Sequence, residues 1–478
     1  MDFVMPQLAV GSRADAADGA ALAAAGIDAL LSLAPLARPA EVALQLGLAV
    51  ADRAALPAAT IREAVAFIAA RLAAGHRVLL HCEQGISRSP ALAACFLHEQ
   101  LGVPLDEAVD RVRAARPQAD PHPALLASIR AHYAGTDHPA VDLSGNENPL
   151  GPSPAARAAI VRSTARLHRY PPADTAALRD ALARRLGLSA EQFVIGNGAC
   201  DLIDLALRAI VGAGGEVLIP DPAFPAYRSA AARVGARVVT VPLAGSRYAL
   251  DEYLARLTPA TRLVVVASPH NPTGTLMDPA DWARLRGALP AGAVLLLDEA
   301  YRDYAEGHEL IDAAADVRAG AAVLTLRSLS KVEGLAGLRV GYGFAPEALV
   351  RRLASLCPQY HVGSLAQVAA LAALEDEAHR RASIVANARE RERLMAGLAR
   401  LGVDFVPSAA NFVLLQGAPR DARARLAARG VAVKDMARYG LPGDVRVSVG
   451  LRAENARFLT ALGELLCEDH QRRAAVPA

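Results

Sequence analysis

The sequence predicts an α/β protein of more than one domain, on three observations. Its 478 residues exceed a single domain of about 150. Short apolar runs alternate with alanine-rich helical patterns along the whole chain. The pattern breaks once, near residue 137, at Ala134-Gly135-Thr136-Asp137-His138-Pro139, which has the composition of a linker. Hydrophobic residues make up 53% of the chain and aromatics only 4%, so alanine and aliphatics must build the cores, and a disordered chain is excluded. The charge balance, 51 − 49 = +2 with both signs interspersed, offers no footprint for nucleic acid or an anionic membrane. The longest charge-free run, 353–374, carries Pro358, Gln359, His361, Ser364 and Gln367 and is unsuited to lipid. Five scattered cysteines (82, 95, 200, 357, 467) and an N-terminus without an export pattern point to free thiols in the cytoplasm. The histidines show no HxH or HExxH spacing, so no metal is expected.

In chain order, strands are expected at 29–33 and 78–81 and helices at 61–74, 91–101 and 105–115. Pro117, Pro121 and Pro123 interrupt the pattern before a short helix to about Tyr133. This first domain spans 1–136 and the second 137–478. In the second, strand-like runs at 217–219, 237–241, 263–267, 294–297 and 323–326 alternate with helical patterns and predict a mainly parallel sheet under helices. A long amphipathic helix at about 377–401 opens a smaller subdomain with strands near 411–415 and 445–449. Gly212, Gly214 and Gly215 read as a turn between helix and strand, not a dinucleotide loop.

The apolar run 78–80 leads into His81-Cys82-Glu83-Gln84-Gly85-Ile86-Ser87-Arg88-Ser89-Pro90, a strand, a turn and a helix start with proline in its first turn. Backbone N–H groups in such a loop point inward and cradle an anion. Those amides and the helix dipole favour a thiolate at Cys82, and Arg88 can grip two phosphate oxygens with its planar fork. The segment resembles the signature of the dual-specificity, cysteine-dependent phosphatases, over about residues 5–134. The resemblance implies Cys82 as nucleophile, Arg88 as phosphate ligand, Asp52 as general acid 30 residues upstream, Ser89 as the hydroxyl assisting thiolate departure, and His81 ordering the loop.

In the second domain Ser328-Leu329-Ser330-Lys331 follows an apolar run and precedes a glycine-rich turn, 334–342, holding Arg339. A lysine flanked by hydroxyls and an arginine suits a Schiff base beside a phosphate pocket. Asp298, in Asp298-Glu299-Ala300-Tyr301, ends another buried run, and Asn271 lies in Ser268-Pro269-His270-Asn271-Pro272. Together with 143–154, Arg169-Tyr170-Pro171, Gly196-Asn197-Gly198, Asn411-Phe412 and 446–450, these resemble fold type I aminotransferases over about 141–466, and within them the histidinol-phosphate aminotransferase group.

That resemblance implies a large mixed-sheet domain with a small C-terminal α/β domain, and pyridoxal 5′-phosphate as cofactor. It implies Lys331 as the lysine bonding the cofactor and carrying the proton, Asp298 at the pyridine nitrogen, and Tyr301 and Asn271 at the phenolic oxygen. Phe224 stacks on the ring, while Ser328, Ser330, Arg339 and the amides of Ala199 and Cys200 hold the phosphate. Tyr170 reaches the cofactor phosphate of a neighbouring subunit, implying a homodimer, and Arg446, Lys434 and Asn148 contact substrate. Three positions depart from the group. Leu150 and Glu333 stand where aromatics are usual, and Lys434 replaces an arginine, giving a point charge in place of a fork. The expected protein is bifunctional, a small-molecule aminotransferase of the histidine-biosynthetic type with a phosphatase acting on its product. O-phosphothreonine decarboxylation, or a non-catalytic phosphate-binding N-terminal module, are the alternatives.

Overall fold

The computed structural model describes residues 1–36, 42–52, 54–101, 103–133 and 141–474, which form two compact units, one ending at Val141 and the other starting at Asp142. The expected linker at 134–139 and the expected boundary between 136 and 137 lie outside the described residues.

In the first unit five strands form one sheet in the order Asp2–Met5, Leu8–Gly11, Val78–His81, Ala29–Ser32, Leu44–Gly47. The first pair is antiparallel and every other neighbour parallel. Val78–His81 is central and buried throughout, as a parallel strand covered on both faces must be. Its side chains alternate between two cores. Val78 and Leu80 join Leu31, Ile61, Ile68 and Leu92 beneath the helices Ala58–Ala73 and Arg88–Leu101, while Leu79 turns with Leu30 against Ala16 and Leu22. Both helices start one turn before the periodicity does, because their first turns carry few large apolar residues. The strands Asp2–Met5, Leu8–Gly11 and Leu44–Gly47 escaped sequence reading, each having only 4 residues in which to show alternation.

The second unit holds seven strands in the order Phe193–Gly196, Gly341–Phe344, Val323–Ser328, Val294–Asp298, Thr261–Ala267, Glu216–Asp221, Arg237–Pro242. All pairings are parallel except those of Gly341–Phe344, which is antiparallel to both neighbours. This corrects the reading of 334–342 as one turn. Gly341 belongs to a strand, and glycine is needed because a Cβ there would lie 2.8 Å from the Arg327 carbonyl oxygen and 3.2 Å from the Gly198 Cα. The central strands alternate between two apolar layers, with Val264, Val266, Leu295 and Leu297 on one face and Val265, Leu296 and Leu324 on the other. A four-stranded antiparallel sheet (Phe405–Val406, Phe412–Leu415, Val445–Ser448, Lys434–Asp435) accompanies the long helices Glu377–Arg400 and Arg452–Ala474. No helix among the described residues is long and apolar enough to cross a membrane.

Gly334 sits at φ 69°, and a Cβ on it would lie 2.2 Å from the Gly151 carbonyl oxygen. Gly334→Ala is therefore expected to cost about 3 kcal/mol, read as a lower midpoint of guanidinium unfolding.

Candidate active sites

The first site stands at the end of the buried strand Val78–His81. From Cys82 the chain loops into the helix Arg88–Leu101, and the carbonyls of Glu83 to Ile86 are met by donors from outside the loop. Glu83 O accepts from Arg13 N–H at 3.1 Å and Ile86 O from Asp120 N–H at 2.7 Å. Gly85 O accepts from Arg116 Nε at 2.7 Å and Gln84 O from Arg116 Nη2 at 3.4 Å. With these carbonyls held outward, the opposite edges of the same peptides turn inward, and the Gly85 N–H bonds Cys82. His81 donates or accepts through Nε2 with Ser32 Oγ at 2.7 Å, and burial holds its ring below the usual histidine pKa despite the Cys82 carbonyl.

Burial opposes ionisation of the Cys82 thiol. The Ser89 hydroxyl, 3.3 Å from Sγ, the Ser89 and Gly85 N–H groups and the Arg88 guanidinium outweigh it and hold the thiol below its ordinary pKa. Arg88 is buried, donates from Nη1 to the Val50 carbonyl at 2.9 Å, and faces Asp52 through Nε at 3.3 Å. The Asp52 side chain is 58% exposed, so a carboxyl that water can reach stands beside the cation. The structure thus brings Cys82, Arg88, Ser89 and Asp52 together. A stabilised thiolate, an anion cradle and a nearby proton carrier can displace an alcohol from a phosphate ester. Arg116 escaped sequence reading, since Arg116-Pro117 reads simply as the end of a helix.

The second site is a cavity of about 430 Å³ in the second unit, lined among others by Asp298, Tyr301, Asn271, Lys331, Arg339 and Arg446. Asp298 ends the buried strand Val294–Asp298; its carboxylate accepts from the Tyr227 hydroxyl at 2.7 Å and the Ala300 N–H at 3.0 Å. Burial raises its pKa against both bonds. The Tyr301 hydroxyl accepts from Asn146 Nδ2 at 3.1 Å and Asn271 Nδ2 at 3.3 Å, which leaves its own proton to donate into the cavity. Lys331 Nζ donates to the Asn146 carbonyl at 2.9 Å and lies 5.2 Å from the Tyr301 ring. Burial, then Arg446, then Arg339 push its ammonium down to about 8, against the Glu147 carboxylate.

At one end of the cavity the helix Ala199–Ala206 begins, so the Ala199 and Cys200 N–H groups are free of intrahelical partners. Arg339, at φ 52°, approaches so closely that a Cβ on Gly198 would lie 2.7 Å from Nη2. Ser328 and Ser330 line the same end, and Phe224 stands edge-on to Tyr227 at 5.9 Å between ring centroids. Opposite, Arg446 donates to Asn271 Oδ1 at 2.7 Å and to the Ser144 carbonyl at 3.0 Å, while its buried Nε has no hydrogen-bond partner. Lys434 is its cross-strand neighbour and lines the cavity too. The donor set fits a planar, phosphorylated pyridine aldehyde. It offers an anion cradle, a buried carboxyl awaiting a cation, a phenol donor and an amine with a lowered pKa.

Two expected residues stand elsewhere. Asn148 is not among the residues lining this cavity; its Nδ2 donates to the Val332 carbonyl at 2.8 Å and Ser383 Oγ at 2.9 Å and braces the segment after Lys331. Tyr170 is 79% exposed and stacks on Tyr360 at 4.5 Å. Tyr227, Asn146 and Tyr439 line the cavity without having been singled out. Tyr227 could have been found, because it lies three residues after Phe224 on the first turn of Pro225–Val234 and so shares its face.

Residues 138–462 match the family described as aminotransferase class I and II, and residues 8–134 match the catalytic domain of dual specificity phosphatases. A histidinol-phosphate aminotransferase of Moorella thermoacetica is 39% identical over 329 residues, covering 68% of this chain and 85% of that protein. Histidinol-phosphate aminotransferase 2 of Ralstonia nicotianae is 41% identical over 333 residues, 69% of this chain and 89% of its own. Among solved structures, the histidinol-phosphate aminotransferase from Sinorhizobium meliloti in complex with pyridoxal-5′-phosphate superposes with a TM-score of 0.64 at 28% identity, over 68% of this chain and 91% of its own. The chain belongs to the class I and II aminotransferases, in their histidinol-phosphate aminotransferase branch, and carries a dual-specificity phosphatase catalytic domain ahead of that fold.

Proposed function

We propose that this chain is a bifunctional cytoplasmic enzyme. Its second unit aminates a phosphorylated keto substrate with pyridoxal 5′-phosphate, and its first unit hydrolyses the phosphate ester of the amine product. Imidazole-acetol phosphate is the keto substrate and histidinol the final product. The observation that carries this reading is that Lys331 and Asp298 share one cavity with two cations, Arg446 and Lys434, able to take anionic groups of a substrate.

Once bound, pyridoxal 5′-phosphate supplies a conjugated ring that accepts the electron pair released when the substrate Cα loses its proton. Asp298, held by Tyr227 and Ala300, pairs with the ring nitrogen, and the buried carboxylate favours the charged, protonated form there. Tyr301 and Asn271 orient the phenolic oxygen, Phe224 covers a ring face, and Arg339, Ser328, Ser330 and the Ala199 and Cys200 N–H groups hold the phosphate. Lys331 carries the proton at the substrate Cα, and Arg446 binds an anionic substrate group through its free Nε edge. Val161, Leu167 and Tyr170 are 70%, 56% and 79% exposed, a hydrophobic surface suited to a second copy, through which Tyr170 meets the other subunit's cofactor phosphate.

In the first unit Cys82 Sγ attacks phosphorus while Asp52 protonates the departing alcohol oxygen. Water activated by the resulting Asp52 carboxylate then breaks the S–P bond, with Ser89 donating to the leaving thiolate and Arg88 holding the equatorial oxygens.

The full chain, given imidazole-acetol phosphate and glutamate, is expected to release histidinol and inorganic phosphate. Cys82→Ser should stop at histidinol phosphate; free histidinol from that variant would show the coupling to be wrong. Carbon dioxide from O-phosphothreonine without a keto acid would assign decarboxylation instead, and phosphopeptide binding without turnover would make the first unit a binding module. Lys331→Ala should lower transamination by roughly 10⁴-fold while para-nitrophenyl phosphate hydrolysis is unchanged.

The lowered Lys331 pKa has a signed consequence. A neutral amine prevails only above about 8, so the rate at which cofactor-stripped protein takes up pyridoxal 5′-phosphate should rise through that pH and then level off. Arg446→Gln removes a neighbouring cation, which relieves the ammonium and should move the midpoint upward in stopped-flow absorbance.

A further inference from the structure

Arg116 is 3% exposed, caps the helix Leu105–Ala115 and forms no part of the cysteine, arginine, aspartate and serine set. Two edges of its guanidinium are spent on the back of the loop and the third on Asp2. Nε donates to Gly85 O at 2.7 Å, Nη2 to Gln84 O at 3.4 Å, and Nη1 pairs with Asp2. The contact shapes the sequence of the loop. Gly85 lies at φ 69°, and a Cβ on it would fall 2.6 Å from Arg116 Nη2 and 2.6 Å from the Gly11 carbonyl.

The peptide between Gln84 and Gly85 accepts from Arg116 at its carbonyl and donates to Cys82 Sγ from its N–H. The next peptide takes the shorter bond from Nε. A cation on the carbonyl side polarises each amide, and hydrogen bonds in such chains strengthen one another in a low-dielectric interior.

We propose that Arg116 is a positioning residue of the phosphate loop, whose buried guanidinium turns the loop's N–H groups onto Cys82 and places a positive charge behind them. This rests on the reading of Cys82 as a thiolate nucleophile. The other charged and titratable groups around the thiol are Arg88, which shares its charge with Asp52, Glu83, paired with Arg13 at 3.0 Å, His81, and Asp15, which takes the N-terminal ammonium. Arg116 differs from Arg88 in having no edge left for substrate.

The test is the pH profile of Cys82 alkylation by iodoacetamide in the full chain, with the modified peptide identified by mass spectrometry. Arg116→Met should shift the profile upward by about one unit, so that alkylation on the acidic side slows about tenfold, while circular dichroism is retained. Arg116→Lys, which keeps the charge without the fork, should recover most of the shift but not the full kcat on para-nitrophenyl phosphate. Asp2→Asn removes the neutralising carboxylate, keeps both carbonyl bonds, and should move the profile down. An unshifted profile in folded Arg116→Met, an equal shift in Arg116→Lys, or an upward shift in Asp2→Asn overturns the proposal. Should Arg116→Met fail to fold, the other two variants decide. Because alkylation needs no turnover, wild-type protein without phosphatase activity would refute the catalytic reading separately.

Discussion

A donor that fixes a peptide carbonyl also fixes the N–H on the opposite edge of that peptide, and the loop after His81 is organised by that coupling. Arg13, Arg116 and Asp120 take the carbonyls of Glu83, Gln84, Gly85 and Ile86, so the amides of the loop have only the cysteine side left to them. Where a carbonyl's partner stands decides which way the N–H of that peptide points, as at Gly85, whose N–H bonds Cys82 Sγ. That is why the loop needs a packed surround. The helices Ala58–Ala73 and Arg88–Leu101 and the segment around Arg116 are the means by which a chain of small residues aims several weak dipoles at one atom. The second unit meets a similar demand with a helix start at Ala199 and a close arginine, and again a glycine, Gly198, yields the room.

Both sites also depend on strands that are buried along their whole length. Val78–His81 leads directly into Cys82 and Val294–Asp298 ends in Asp298, and in each case the apolar run before it fixes the position of that side chain to within the tolerance of core packing. Burial then tunes the groups it positions. It opposes charge on both Cys82 and Asp298, but around the thiol the amides and Arg88 outweigh it, whereas around Asp298 it prevails over two hydrogen bonds. The balance of neighbours, not burial alone, thus leaves the thiol readily ionised and the carboxyl resisting charge.

What could be read from the sequence was whatever is local. The cysteine loop, Lys331, Asp298 and Asn271 follow apolar runs directly, so adjacency in the chain carried their placement in space. Strands such as Val78–His81 matched their expected span because a fully buried strand is a continuous apolar run. What could not be read depends on pairs far apart in the chain. Arg116 meets Gly85 across 31 residues and Asn148 meets Ser383 across 235, and no window of sequence contains both members. Asn148 shows the cost: it sits within a motif, yet its side chain is committed to Val332 and Ser383. Gly341 misled for a different reason, since glycine in a strand and glycine in a turn look alike until the neighbouring backbone is in place.

The register of the small antiparallel sheet sets Lys434 directly across from Arg446. Like charges facing each other on paired strands repel, and Arg446 has a buried Nε with nothing to bond. An anion held between the two cations, which line the same cavity, would offset that repulsion. Anion binding and the stability of this small sheet are therefore linked, each reporting on the other.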